Sequence, residues 1–321
     1  MGDRSEPPLQ RATDAATRAE FIELERHCSL RPDDAASRRR QLQLFMALGQ
    51  PDDLPGSSLA FDRRVRSPRI AVLTPYFQES LGLLERCHRS VRQQTLACEH
   101  ILVADGFPRT EVDNWDVRHI RLATACRNFG DTPRRIAGEA AIEAGFDAVV
   151  YLDADNWLRR RHVESLFACH LARGTPICHS ARSLHRVDGT LMPLIQRGDN
   201  SVHVDTSCLL VTDGAFDLLA LWGTWPPELS CIDDRMFWHA ALARGHAHSF
   251  TGAMTTCYEA AHPIFYRAVA ESPPSGVRPD IDLRQLVAWH DGLRPTERED
   301  LDQRWGFSVT GLLAELGAPR G

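Results

Sequence analysis

Asp153 and Asp155 stand one residue apart at the end of an apolar run, in VVYLDADNW at residues 149–157. Two carboxylates at that spacing, on the turn after a strand, can both reach one hard divalent cation. Mg2+ and Mn2+ take such oxygen ligands, commonly together with substrate phosphates. A turn that uses aspartates only for its backbone geometry has the same look. Two further strand ends offer polar groups: Thr74-Pro75-Tyr76 in RIAVLTPYF and Asp105-Gly106 in HILVADG. Three strands aiming such groups at one crevice say more than any one motif.

The elements that must position these residues alternate. RIAVLTPYF, HILVADG, VRHIRLA and DAVVYLDAD read as strands; SLGLLERCHRSVRQQ, DTPRRIAGEAAIEAG and RRHVESLFACHLARG read as helices. Strands alternating with helices of this length predict an α/β fold, a doubly wound and mostly parallel sheet with flanking helices. Such sheets bind ligands at the carboxyl ends of their strands. Residues 175–211 read as β-rich, with HVDTSCLLVT as a strand; GAFDLLALWG reads as a helix, and TGAMTTCYEAAHP as a strand and turn. CIDDRMFWHAALARGHA is a helix whose acidic start suits the helix dipole. Residues 1–67 read as an N-terminal helical appendage and linker, with QPDDLPGSS and RRVRSPR as the linker; residues 68–270 form the main domain, and 271–321 a C-terminal segment with helices at 281–290 and 296–316.

Composition closes several doors. The chain has 321 residues, 43% hydrophobic and 25% charged, which is globular. Its net charge of -6 argues against broad phosphate-backbone binding, so no stable nucleic-acid partner is expected. All 37 basic residues are arginine, which excludes a Schiff-base lysine and a Walker-type lysine. Nine cysteines with no C-x-x-C pair argue against a zinc knuckle or a disulfide framework. Reduced thiols, a polar start (MGDRSEPPLQ) and no apolar run of membrane-spanning length lead to a cytoplasmic expectation.

The order strand-TP, strand-DG, helix, strand-DAD, then a late DD pair on a helix resembles the GT-A glycosyltransferases, particularly family 2, over roughly residues 68–265. That resemblance implies a nucleotide-diphosphate sugar donor, UDP-linked, and an inverting transfer to an acceptor hydroxyl or amine. It places Thr74, Pro75 and Tyr76 at the nucleotide base and Asp105 at the base or ribose, although the family's second Asp is Ala104 here. It assigns Asp131 and Arg134 to ribose or diphosphate contacts, and Asp153, Ala154 and Asp155 to the donor and its Mn2+ or Mg2+. In CIDDRMFWHAALARGH it gives Asp233 as the first acidic residue, where the family has Glu, and Asp234 as the general base. His262 in CYEAAHPIFY is the candidate to complete the metal shell. Trp157, Asp205 and Thr206 are candidates for the sugar or acceptor site, while the H-x-H of His246 and His248 lacks a third ligand.

Two other readings remain open. A nucleotidyltransferase would also use paired carboxylates and a metal, but it wants a Gly-rich loop with a basic residue after the first strand, and LTPYFQES has neither. A non-catalytic nucleotide-sugar-binding module would not need the DD pair.

Overall fold

A computed structural model describes residues 8–48, 67–194 and 203–317. Most of the expected linker, residues 49–66, lies outside the described residues.

Eight strands form one sheet in the order β3-β2-β1-β4-β7-β6-β8-β5. These are β1 (Ile70–Tyr76), β2 (Glu99–Ala104), β3 (Arg118–Arg121), β4 (Ala148–Tyr151), β5 (Trp157–Leu158), β6 (Ile177–His185), β7 (Leu209–Thr212) and β8 (His248–Glu259). The β3-β2-β1-β4 half is wholly parallel. In the other half, β7 is antiparallel to β4 and β6, β6 is parallel to β8, and β5 is antiparallel to β8. The ten helices of the described residues begin with α1 (Pro8–Leu30), α2 (Ala35–Ala47), α3 (Leu81–Arg92), α4 (Asp131–Glu143) and α5 (His162–Arg173). They continue with α6 (Asp233–Ala243), α7 (Pro263–Ala268), α8 (Leu283–Gly292), α9 (Pro295–Trp305) and α10 (Val309–Gly317). This is the α/β architecture of the sequence expectation, with helices on both faces of the sheet.

Because side chains alternate between the two faces of a strand and both faces are covered, β1 from Ile70 to Leu73 and β4 are apolar on both sides. Ile70, Val72, Ala148 and Val150 face a cluster with Cys87 and Val91 of α3 and Val163 and Leu166 of α5. Ala71, Leu73, Val149 and Tyr151 face the opposite cluster, with Ala137 and Ala141 of α4 and Met236, Phe237 and Trp238 of α6. Leu286 of α8, Trp305 of α9 and Leu312 and Leu313 of α10 join that second cluster. The strand order reverses beside β1, whose neighbours are β2 and β4, and this reversal opens a crevice at their carboxyl ends.

The N-terminal helices fold onto the other half of the sheet. Phe21, Leu42, Leu44 and Phe45 pack with Ala181 of β6 and Phe250 and Met254 of β8. Gly252 sits at the contact with φ +76°; a Cβ there would lie 2.4 Å from the Glu25 carbonyl oxygen. Only glycine lets helix and strand backbones approach so closely. Gln41 Nε2 donates to the Gly252 carbonyl at 2.9 Å.

Three local expectations are revised. HVDTSCLLVT is a 3₁₀ turn at Thr206–Cys208 followed by the short β7, because Asp205 accepts the Ser207 N–H at 3.0 Å and tightens the chain there. GAFDLLALWG is a 3₁₀ segment, Asp213–Leu221, kinked at Ala215. The helix expected over 296–316 is two helices, broken at Gly306 in the left-handed region at φ +80°.

Candidate active site

The crevice is a cleft of about 520 Å³, within the range of small-molecule sites. Its wall includes Pro75 and Tyr76 from β1, Asp105 after β2, Gly130 and Arg134 at α4, Asp153, Ala154 and Asp155 after β4, and Asp233 and Asp234 opening α6. The DAD and DD motifs, 80 residues apart in the chain, share one pocket.

One arginine joins them. Arg134 Nη2 reaches Asp153 Oδ1 at 2.7 Å and Nη1 reaches Asp233 Oδ2 at 2.6 Å. Nη1 also donates to the Phe129 carbonyl at 3.0 Å, and the guanidinium lies 5.1 Å from the centre of the Trp222 ring. Gly130, at φ +91°, starts α4 beneath it; a Cβ there would meet Pro75 Cγ at 3.0 Å.

The carboxylates differ in their surroundings. Burial pushes the Asp155 carboxyl up to about 7; its Arg278 partner pulls the other way. Burial also raises Asp233 well above the ordinary carboxylate range, against Arg134 and with help from Asp131 and Asp234. Burial opposes the charge of Asp234 too, but His203 Nε2, paired with its Oδ2, outweighs this and holds the carboxyl below the usual range. Asp234 Oδ1 accepts the Arg235 N–H at 2.7 Å. The two neighbouring carboxyls are thus driven in opposite directions, Asp233 up and Asp234 down. Asp205 lines the same cleft and pairs with Arg182; burial raises its carboxyl.

Other expected residues sit differently. Thr74 is fully buried, its hydroxyl 2.9 Å from His100 Nε2, and it is not among the lining residues. Tyr76 turns its hydroxyl to His119 at 2.8 Å and to the Arg109 N–H at 2.9 Å. Asp105 accepts the Cys126 N–H at 2.6 Å and the Arg127 N–H at 3.1 Å, so it holds the 126–130 loop, where Arg127 and Phe129 both have φ +55°. Asp131 is fully buried behind the cleft, accepts from Trp225 Nε1 at 2.7 Å, and is raised by burial. His262 is not a lining residue; its Nδ1 donates to the Pro279 carbonyl at 2.9 Å. Trp157 stacks under Arg86 at 4.2 Å and is not itself a lining residue. His246 pairs with Asp217 at 3.1 Å, and His248 packs on Trp238.

The sequence did not single out Arg278, Glu79, Tyr258, Ser230 or Cys231, all of which line the cleft, nor His203 behind Asp234. His203 stands two residues before Asp205, a candidate from sequence, which was the available signal.

The donor set fits a divalent cation of the Mg2+ or Mn2+ kind. Asp153 and Asp155 supply hard oxygens, and burial makes the charge of Asp155 costly despite its Arg278 partner. Among the described residues no cage of three or more His, Cys, Asp or Glu forms.

The fold and cleft define a doubly wound α/β protein with an acidic ligand site at its strand ends. No protein-family model matches the chain, and no curated protein sequence matches it. Among solved structures it is similar to S. aureus TarS 1-349 in complex with UDP, at 14% identity over 78% of this chain and 75% of that chain, with a TM-score of 0.47. The complex of S. aureus TarS 1-349 with UDP-GlcNAc gives 14% identity, 78% and 76% coverage, and a TM-score of 0.47. GalNAc-T7 with UDP, GalNAc and Mn2+ is similar at 15% identity over 61% of this chain and 44% of that chain, with a TM-score of 0.47. Likeness at this level assigns no substrate and no residue role. No helix among the described residues is long and apolar enough to cross a membrane.

Proposed function

We propose that the chain is a metal-dependent, inverting glycosyltransferase that moves a hexosyl or N-acetylhexosaminyl group from a nucleotide-diphosphate donor, UDP-linked, to an acceptor hydroxyl or amine in the cytoplasm. The observation that carries this reading is the Arg134 bridge, which ties the DAD turn and the DD pair into one cleft. The order of motifs in the sequence supports the donor class. The charge of the cleft supports the metal. Glu79, Asp105, Asp153, Asp155, Asp205, Asp233 and Asp234 line the cleft with the guanidinia of Arg127, Arg134 and Arg278, while Arg182 and His203 pair with Asp205 and Asp234; carboxyls still outnumber the cations around them. A diphosphate entering such a site needs further positive charge.

Asp153 and Asp155 would hold Mn2+ or Mg2+, which when bound offsets the charge on the departing diphosphate. Asp234 does the work on the acceptor side. It takes the acceptor proton while the freed electron pair forms the bond to the anomeric carbon. The carbon–oxygen bond to the diphosphate breaks with its electrons on the phosphate oxygen. His203 keeps Asp234 ionised and oriented, and Asp233 is held off the acceptor by Arg134. Asp205 and Thr206 line the cleft beside Asp234, where a sugar or acceptor hydroxyl would bind. The nine free thiols suit a reducing compartment.

The test is calorimetric titration of UDP, GDP and dTDP, with and without Mn2+, on the wild type and on Asp155→Asn. One nucleotide should bind only with metal and only to the wild type. Binding that ignores both the metal and Asp155 would overturn the reading.

A further inference from the structure

Arg278 holds Asp155 in an unusual way. Its guanidinium pairs with Asp155 Oδ2, yet its side chain is 54% exposed, while the Asp155 side chain is 14% exposed. The backbone under it is fixed. Arg278 N–H donates to the Ala261 carbonyl at 2.8 Å, and His262 Nδ1 holds the Pro279 carbonyl. Asp280 accepts the Ile264 N–H at 3.0 Å and pairs with Arg267. Upstream, Glu271 takes a two-pronged contact from Arg186 at 2.8 and 2.6 Å. What can move is the side chain, swinging from a fixed root at the mouth of the cleft.

Asp155 carries a single negative charge, and a divalent ion bound to it would compete with the Arg278 guanidinium for that charge. With such an ion at Asp155, the exposed Arg278 guanidinium would be repelled and displaced. The released guanidinium stays tethered beside the DAD turn, in a cleft where Arg134 is already committed to two carboxylates and a carbonyl. An arginine fork so placed suits the oxygens of a diphosphate, which it can grip with two parallel N–H bonds.

We propose that Arg278 is the resident cation of Asp155 in the empty cleft and the phosphate-gripping group of the loaded one, exchanging one partner for the other when a divalent ion binds. The proposal rests on the donor-site reading above, since it needs both a divalent ion at Asp155 and a diphosphate beside it.

The experiment measures two affinities on the full chain, for wild type, Arg278→Ala and Arg278→Lys. The first is for Mn2+ alone. The second, at saturating Mn2+, is for the nucleotide that titrates best among UDP, GDP and dTDP. Removing the competitor should let Arg278→Ala bind Mn2+ about 3- to 10-fold more tightly. Losing the charged donor should weaken its nucleotide binding by roughly 10- to 100-fold. Arg278→Lys keeps the charge without the fork, so its Mn2+ affinity should match wild type while its nucleotide affinity falls between the other two. Equal Mn2+ affinity in wild type and Arg278→Ala would overturn the exchange and leave the donor site standing. Tighter Mn2+ binding with unchanged nucleotide binding would overturn the phosphate role. No Mn2+ binding by any of the three would overturn both this proposal and the metal-dependent reading beneath it. A thermal melt of each variant separates these results from loss of fold.

Discussion

Arg134 and Arg278 each hold one carboxylate of the DAD turn, and the two sites are built differently. Arg134 is 5% exposed and pinned by Asp153, Asp233, the Phe129 carbonyl and the Trp222 ring. Arg278 is half exposed, and its guanidinium is paired with Asp155. A buried ion network of the first kind is framework: removing one member strands charges in a low-dielectric site. A loose pair of the second kind contributes little to stability and can be exchanged for a ligand. The lesson is that two ion pairs one residue apart can belong to different levels of the molecule, one to its fold and one to its chemistry.

The sharpest way to break the comparison is Arg134→Ala. It leaves Asp153 and Asp233 unpaired, and the expected loss is about 3–5 kcal/mol or outright failure to fold, read by chemical denaturation. Arg134→Lys should not restore it, because one ammonium cannot span both carboxylates. Next in size is Asp234→Asn, a change in chemistry. Turnover should fall by about 10²- to 10⁴-fold while nucleotide affinity holds, measured by steady-state kinetics beside calorimetry. Retained turnover in a folded variant would remove Asp234 from the role of base.

Smaller effects follow. Glu25 in α1 is 3% exposed, and burial raises its carboxyl to about 8, with Arg161 opposing. A carboxyl raised in the folded state binds its proton more tightly there than in the unfolded chain. The stability it contributes is therefore full below its unfolded value near 4.5 and is lost as pH rises towards 8. Glu25→Gln should flatten that slope and raise the melting temperature at pH 8 by roughly 2–4 °C, with little change at pH 5. Smallest of all, Arg278→Ala should alter stability by no more than about 1 kcal/mol at any pH, since its partner is held by an exposed side chain. A large loss would place Arg278 with Arg134 in the framework and erase the contrast.

How much of this was legible in the chain depends on range. β1, β2 and β4 were readable because burial on both faces leaves an unbroken apolar run. The strand-end residues were readable because the turn follows directly from the strand. Apolar spacing continues on either side of Gly306 and hides the break, which its left-handed φ makes and Ser308, accepting the Gly311 N–H, completes. The stretch before β7 misled because Asp205 captures the Ser207 N–H, a local contact that alternation does not reveal. Arg278 and His203 could not be found, since their partners lie 123 and 31 residues away and no spacing rule links them. Asp105, by contrast, was found for one reason and has another visible use: its two oxygens hold the loop backbone at Cys126 and Arg127.

Gly252 and Glu259 lie on the same strand, β8, seven residues apart. At one end the strand touches the backbone of α1 with no side chain between. At the other, Glu259 grips Arg86 at 2.5 Å, and Arg86 in turn holds the Asp155 carbonyl at 2.7 Å. The helical hairpin is thus joined through one strand, bulged near Gly252, to the contacts that steady the acidic turn.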